Sequence, residues 1–323
     1  MSEYLLEVNH LSKSFESGSR GKESIPAVRD VSFHVKRGEC LGIVGESGCG
    51  KSTIARLVTL LTPADSGEIC LNGAEYTHSR NKGEIYRQIQ MVFQDPYSVF
   101  SPRMQIGTFL EDGLVYFRLM PRSKAAEEAV KLMHMVDLSE ELLTRFPHQL
   151  SGGQLQRVVI ARAISVHPSL IILDEATSAL DVSVQKQILE LLKRLKTEQK
   201  LTYIFIGHDL AVVKSISDRI HIMYAGTIVE ELRSDDLKRA VHPYSKELLN
   251  SIFSVHGRHA GRIQVNALSL TDIGYEDHGC QFRRRCPFAM PVCAEKSPEL
   301  KKVGQEENHT VSCFFITGED SDR

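Results

Sequence analysis

The amino-acid sequence predicts an α/β protein with a largely parallel sheet and helices on its faces. Two observations carry that prediction. SLIILDEA (169–176) and LTYIFIGHDL (201–210) are apolar enough to be strands buried on both faces, and the amphipathic stretch VQKQILELLKRLKTEQK (184–200) lies between them. Upstream, the apolar run CLGIVG (40–45) passes through a glycine-rich loop into STIARLVTLL (52–61). Strand, glycine loop and helix in that order form a phosphate-binding unit.

The elements follow in chain order. YLLEV, AVRDVSFHV and CLGIVG read as strands, with the polar segment ESGSRGKES (16–24) as a surface loop between the first two. In the helix after the glycine loop, Ile54, Leu57, Leu60 and Leu61 share one face. Residues 103–147 read as mostly helical, most clearly in KAAEEAVKLMHMV. DRIHIMYAGTIVEE reads as a hairpin turning at Ala225-Gly226, and beyond about residue 236 the pattern loosens.

Composition narrows the function. A chain of 323 residues, 42% hydrophobic and 25% charged, suits about two soluble domains. A formal net charge of -2 gives no reason to expect nucleic acid or an anionic membrane surface as the main partner. The N-terminus MSEYLLEVNHLSKSF lacks the charge and apolar core of a signal peptide, and no apolar run is long enough to span a bilayer. The expectation is a cytoplasmic protein whose membrane role, if any, comes through a partner.

GESGCGKST (45–53) fits the pattern G-x-x-x-x-G-K-[ST] in its proper setting. Gly45, Gly48 and Gly50 let the backbone curl so that N–H groups face phosphates, with Ser47, Cys49 and Thr53 completing the loop. Lys51 is expected to reach the β- and γ-phosphates and Ser52 to place its hydroxyl on Mg²⁺. An acid ending a buried apolar strand is unfavourable unless it holds a metal or a polar network. Asp174 therefore suits the Mg²⁺ shell and Glu175 the attacking water, the alternative being that either acid caps the next helix.

LSGGQLQR (150–157), between the glycine loop and LDEATSALD (173–181), resembles the signature of the ABC ATPase family. Phosphate loop, glutamine loop, signature, acidic strand and switch histidine stand in family order over residues 45–209. The resemblance implies an ATP-binding core with an antiparallel β subdomain and a helical subdomain, working as a head-to-tail dimer with ATP between one phosphate loop and the opposite signature. It implies that Ser151, Gly152, Gly153 and Gln154 meet the γ-phosphate of ATP on the opposite subunit. A serine hydroxyl and glycine N–H groups at a helix start form a physically sound anion site. Gln94 in MVFQD matches the glutamine that touches Mg²⁺ and the water, and His208 in IGHDL matches the switch histidine. Asp181 matches the loop that crosses the dimer, and Phe15 stands where the family stacks an aromatic on adenine, or else belongs to the core.

QMVFQDPYSVFSPRMQIG, LDVSVQKQILELLKRLKTEQKLTYIFIGHDLAVVKSISDRIHIMYAGTIVE and HPYSKELL (242–249) resemble the second ATPase subunit of dipeptide and oligopeptide importers. VFSPR stands where SLNPR is usual and SGGQLQR where SGGQRQR is common; nickel and glutathione importers share this subunit type. The implied division is a nucleotide-binding domain over 1–235, with its helical subdomain at about 96–157, and a C-terminal extension over 236–323. The implied partners are a second homologous ATPase subunit, two membrane permeases and, indirectly, an extracytoplasmic binding protein. The implied location is the cytoplasmic face of the membrane. A soluble ABC ATPase with no transport role is the competing class.

HGCQFRRRCPFAMPVC (278–293) and Cys313 gather four cysteines, Cys280, Cys286, Cys293 and Cys313, separated by five, six and nineteen residues. The C-x₂₋₄-C pairs of zinc sites are absent, and Cys286-Pro287 matches a step of some iron–sulfur ligand sets. The segment resembles the importer pattern G-C-x-F-x-x-R-C-P…C…H-x-x-x-C, some bearers of which hold a [4Fe-4S] cluster. Zinc and plain structural thiols remain alternatives. Arg283, Arg284 and Arg285 are expected either to offset the charge of such a cluster or to form a solvated turn.

Overall fold

Strand β1 (Tyr4–Ser17) runs well past the point where apolar alternation stops in the sequence. It pairs antiparallel with β4 (Ser66–Leu71), and its register shifts between Asn9 and Ser12. There His10 adopts a left-handed φ of 51°, and its Nδ1 lies 2.8 Å from Asp30 Oδ1 on β2 (Glu23–Lys36). The bulge hides the strand from a period-two reading and lets it resume beyond. With β5 (Ala74–Glu75) these strands form a four-stranded sheet in the order β2-β1-β4-β5. The computed structural model describes residues 3–17, 23–254, 278–304 and 308–317; most of the loop expected at 16–24 lies outside them.

The chain divides into two units. The first comprises Met1–Val35, Cys40–Thr77 and Ile206–Arg323; the second comprises Lys36–Glu39 and His78–Phe205. Besides the sheet above, the first unit holds β3 (Cys40–Val44), fully buried and parallel to β9 (Arg219–Tyr224). β9 turns into β10 (Thr227–Arg233) through Ala225 and Gly226, both at positive φ (44° and 87°). A two-residue turn with both φ values positive matches the twist of a hairpin, as the sequence predicts. β11 (Lys301–Lys302) and β12 (Thr310–Val311) extend this sheet from the C-terminal end, β12 pairing with β10.

Helix α1 (Lys51–Val58) follows the glycine loop but stops earlier than its apolar pattern suggests. Leu60 turns left-handed with a φ of 54° and stays buried, whereas Leu61 is 51% exposed and leaves the expected face. α7 (Leu210–Ile216) and α8 (Pro243–Ser254) complete the longer helices of this unit. Glu230 of β10 is wholly buried and accepts from the amides of Val241 (2.7 Å) and His242 (3.2 Å) before α8, and pairs with His309 Nε2 (2.8 Å) before β12. One carboxylate thus ties the start of α8 and the C-terminal strands to β10.

In the second unit β6 (Ile89–Val92), entered from α2 (Lys82–Gln88), runs parallel to β7 (Leu170–Asp174). β8 (Thr202–Gly207) neighbours β7, and both are buried along their length. Three helices pack together: α3 (Ile106–Tyr116), α4 (Arg122–Met135) and α5 (Gly152–Ser165). α6 (Val182–Gln199) buries Ile188, Leu191, Leu192 and Leu195, the stripe its sequence predicts, and ends at Lys200 in a left-handed conformation. Arg157 of α5 and Arg194 of α6 both bind Asp137 after α4, at 3.1 and 2.9 Å. Among the described residues no helix is long and apolar enough to cross a membrane.

Candidate functional site

The phosphate loop leaves the buried end of β3 and is shaped by close backbone approach. A side-chain carbon at Gly45 would lie 2.1 Å from the Met223 carbonyl oxygen, and one at Gly50 the same distance from that of Ala27. Gly48 and Gly50 have φ of 82° and 104°, which side-chain-bearing residues rarely adopt. Lys51 is buried, and its Nζ donates to the carbonyls of Gly45 (2.8 Å) and Glu46 (2.7 Å) inside its own loop. Cys49 turns its thiol inward, 3.6 Å from Lys51 Nζ, and burial raises its pKa. Ser47 and Gly48 are exposed, while Ser52 and Thr53 are half-buried in the first turn of α1. Phe15 is 43% exposed, so it is not core, and Lys13 lies over its ring. His208 is exposed at the end of β8, where the neighbouring Asp209 caps α7.

In the second unit β7 delivers Asp174, buried, and then Glu175, whose φ of 50° is strained for a residue with a side chain. Gln94, just beyond β6, donates its Nε2 to Glu175 Oε2 at 3.0 Å. The two residues expected at the attacking water are thus brought together. Ser151 caps α5 with a reciprocal box: its Oγ accepts from the Gln154 amide (3.3 Å), and Gln154 Oε1 accepts from the Ser151 amide (2.9 Å). Gly152 and Gly153 open the helix, and a side-chain carbon at Gly153 would lie 2.5 Å from Val184 Cγ1 of α6. Asp181 caps α6 through the amides of Ser183 and Val184, both 3.0 Å from its Oδ1, and these bonds lower its pKa.

Comparisons with known proteins show the family. The ABC transporter family matches residues 28–178, and the oligopeptide/dipeptide transporter C-terminal region matches residues 229–293. A putative oligopeptide transport ATP-binding protein of Bacillus subtilis, YkfD, is 41% identical over 96% of this chain and 95% of its own length. The oligopeptide transport ATP-binding protein OppF of Haemophilus influenzae is 41% identical over 97% of this chain and 98% of its own. This chain belongs to the oligopeptide-type ABC transporter ATPases. It hydrolyses ATP in the service of transport. The ATP-binding cassette MJ0796, solved as a dimer in a post-hydrolysis state with ADP and Pi, superposes with a TM-score of 0.64 at 29% identity, covering 71% of this chain and 98% of that one.

The four C-terminal cysteines of this ABC ATPase are drawn together. Cys280, Cys286 and Cys313 feel one another and Cys293 electrostatically, and each of the four sulfurs accepts a backbone amide. The donors are Phe282 to Cys280, Phe288 to Cys286, Met290 to Cys293, and both Phe315 and Ile316 to Cys313. Amides aimed at sulfur favour thiolates and so suit a metal–thiolate site. Burial nevertheless pushes the Cys280 and Cys286 thiols up to about 12 and about 11, and among the described residues no three His, Cys, Asp or Glu side chains are placed to hold a metal ion together. The four cysteines expected to ligate a metal are thus neighbours whose sulfurs each accept a backbone amide. His309, which fits the importer pattern, is engaged by Glu230 instead.

Of the three arginines, Arg285 departs from both expectations. Arg284 is exposed and Arg283 donates to the His278 carbonyl, but Arg285 is only 5% exposed and binds Glu46 and Glu247 rather than facing the thiols. Sequence reasoning missed Glu46, Tyr244 and Arg285 as neighbours of the nucleotide site. The available signal was an acid placed inside an anion-binding loop.

Proposed function

We propose that this ATPase powers the import of peptides. ATP closes a head-to-tail dimer with a second homologous ATPase subunit, and closure drives two membrane permeases supplied by an extracytoplasmic binding protein. The observation that carries this reading is the oligopeptide/dipeptide transporter C-terminal match at 229–293 downstream of the ABC match at 28–178. Residues 1–235 form the nucleotide-binding domain and 236–323 the extension. The protein sits at the cytoplasmic face of the membrane through its permeases. An apolar cavity of about 300 Å³ in the second unit, lined by Met91, Phe93, Phe109, Tyr116, Val159 and Arg162, supports the permease contact. It is sized for the side chains of a short helix beside the glutamine loop.

In the proposed hydrolysis, water attacks the γ-phosphorus, Glu175 takes its proton and ADP leaves with the bridging oxygen. Gln94 holds Glu175 and the water, and His208 contacts the γ-phosphate. Lys51 leaves its own loop carbonyls for the phosphates, and Phe15 stacks on adenine. Ser151, Gly152, Gly153 and Gln154 act on ATP bound to the opposite subunit, and Asp181 lies at the dimer contact. Mg²⁺, when bound, neutralises developing phosphate charge; the hydroxyl of Ser52, Oε1 of Gln94 and the carboxylate of Asp174 are the hard oxygen donors it prefers. In Glu175→Gln, ATP still binds and dimers accumulate while turnover falls by about 10²-fold or more. Undiminished hydrolysis removes Glu175 from the catalytic role.

We further propose that Cys280, Cys286, Cys293 and Cys313 hold a [4Fe-4S] cluster, with zinc as the alternative ion. The amides donated to all four sulfurs support this reading. Ligation requires loss of the thiol protons, so uptake of metal releases acid. Iron and sulfide in anaerobically purified protein, lost in Cys286→Ser, are expected; iron-free, colourless protein contradicts the cluster.

A further inference from the structure

Glu46 is an acid at the second position of a loop built to bind phosphate, and its carboxylate does not face solvent alone. Arg285 Nη1 donates to both of its oxygens at 2.9 Å, while Nη2 donates to Glu247 of α8 at 2.7 Å. The guanidinium lies 5.6–5.9 Å from the ring centres of Tyr224, Tyr244 and Phe282. The Glu46 amide donates to Tyr244 Oη at 2.9 Å, and its carbonyl accepts from Lys51 Nζ. Every polar group of Glu46 is thus committed, and the C-terminal side of the chain supplies the partners of two of them.

We infer that Arg285 is a positioning residue for nucleotide binding: through Glu46 the C-terminal tail fixes the conformation and the charge of the phosphate loop. The inference rests on reading residues 45–53 as the ATP phosphate loop. Burial disfavours the charge on Arg285, but Glu46 and Glu247 outweigh it and hold its pKa above the ordinary value. The arginine therefore stays charged and keeps an anion from repelling the phosphates that the loop must hold. An aromatic surround limits the guanidinium to one orientation, which a lysine ammonium would not share. Because the clamp acts on the loop in ground state and transition state alike, its loss belongs in ATP affinity more than in turnover.

The test measures binding of a fluorescent ATP analogue to the purified full-length chain, with ATPase rate at saturating ATP as the second readout. Arg285→Met is expected to weaken binding about tenfold, because it leaves two partly buried acids unpaired beside the loop. Arg285→Lys is expected to fall between this variant and the wild type, with turnover at saturation changed less than about twofold in either. Arg285→Met/Glu46→Gln regains most of the lost affinity, which a merely structural role for Arg285 does not predict. Wild-type affinity in Arg285→Met, or an equal loss in the single and double variants, overturns the proposal. Should Arg285→Met fail to fold, Arg285→Lys and Tyr244→Phe carry the test: weaker binding in both supports the clamp, and unchanged binding in both refutes it. Lys51→Ala separates the two readings, since it abolishes binding if residues 45–53 are the phosphate loop whatever Arg285 does.

Discussion

At the scale of single residues, His242 is a pH-sensitive group away from the nucleotide site. It is 1% exposed, and the Tyr244 amide donates to its Nδ1 at 3.1 Å, an acceptor role that a protonated ring cannot fill. Burial lowers its pKa from 6.5 to about 4, with Glu230 opposing in part. The unfolded chain therefore binds the proton first. The stabilisation from His242 is full above pH 6.5, declines as pH falls and is gone below about 4. Its size is about 3 kcal/mol at one pKa unit per 1.36 kcal/mol. Urea unfolding from pH 7 to pH 4 should show this decline, and His242→Gln should flatten it. A steeper decline in the variant would contradict the assignment. Glu230 adds a separate loss at lower pH: burial works against its charge, but His309, Ser245 and the Val241 amide hold its pKa below 4.5.

The same scale shows what the sequence made legible. Lys51, Gly45 and Gly50 could be read because a phosphate loop is a local pattern whose demands lie within nine residues. The pairing of Glu46 with Arg285 could not, because 239 positions separate them and neither residue type is unusual on its own. Cys280 and its companions stand between these cases. Their clustering was legible from spacing, while the separate amide donors that hold each sulfur depend on turns that spacing does not encode.

Among elements, the signature helix α5 depends on its fit to α6. Gly153 leaves no room for a side chain, since an added carbon would stand 2.5 Å from Val184 Cγ1. Gly153→Ala should destabilise the fold by about 1–3 kcal/mol through overpacking. Gly153→Ala/Val184→Ala should recover much of that loss in the same denaturation experiment. Additive destabilisation would mean that the contact is not the cause. The long strand β1 teaches a related lesson about elements. Its apolar alternation is broken at His10, where the left-handed residue and its Asp30 partner bend the strand without ending it. α1 fails in the opposite direction, because Leu60 and Leu61 keep helical spacing after the backbone has turned left-handed at Leu60.

For the whole molecule, the central claim is that hydrolysis carried by Glu175 drives import. The family was legible because five motifs stand in one order, whereas no motif of that kind in the sequence specifies the cargo. The direct test is uptake of a labelled oligopeptide into vesicles reconstituted with this chain and the proposed second ATPase, permeases and binding protein. The wild-type assembly should accumulate peptide only with ATP inside reach of the ATPases, and Glu175→Gln should reduce uptake by about 10²-fold with the complex intact. Uptake of nickel or glutathione with no peptide transport, or peptide uptake undiminished in Glu175→Gln, would contradict the account.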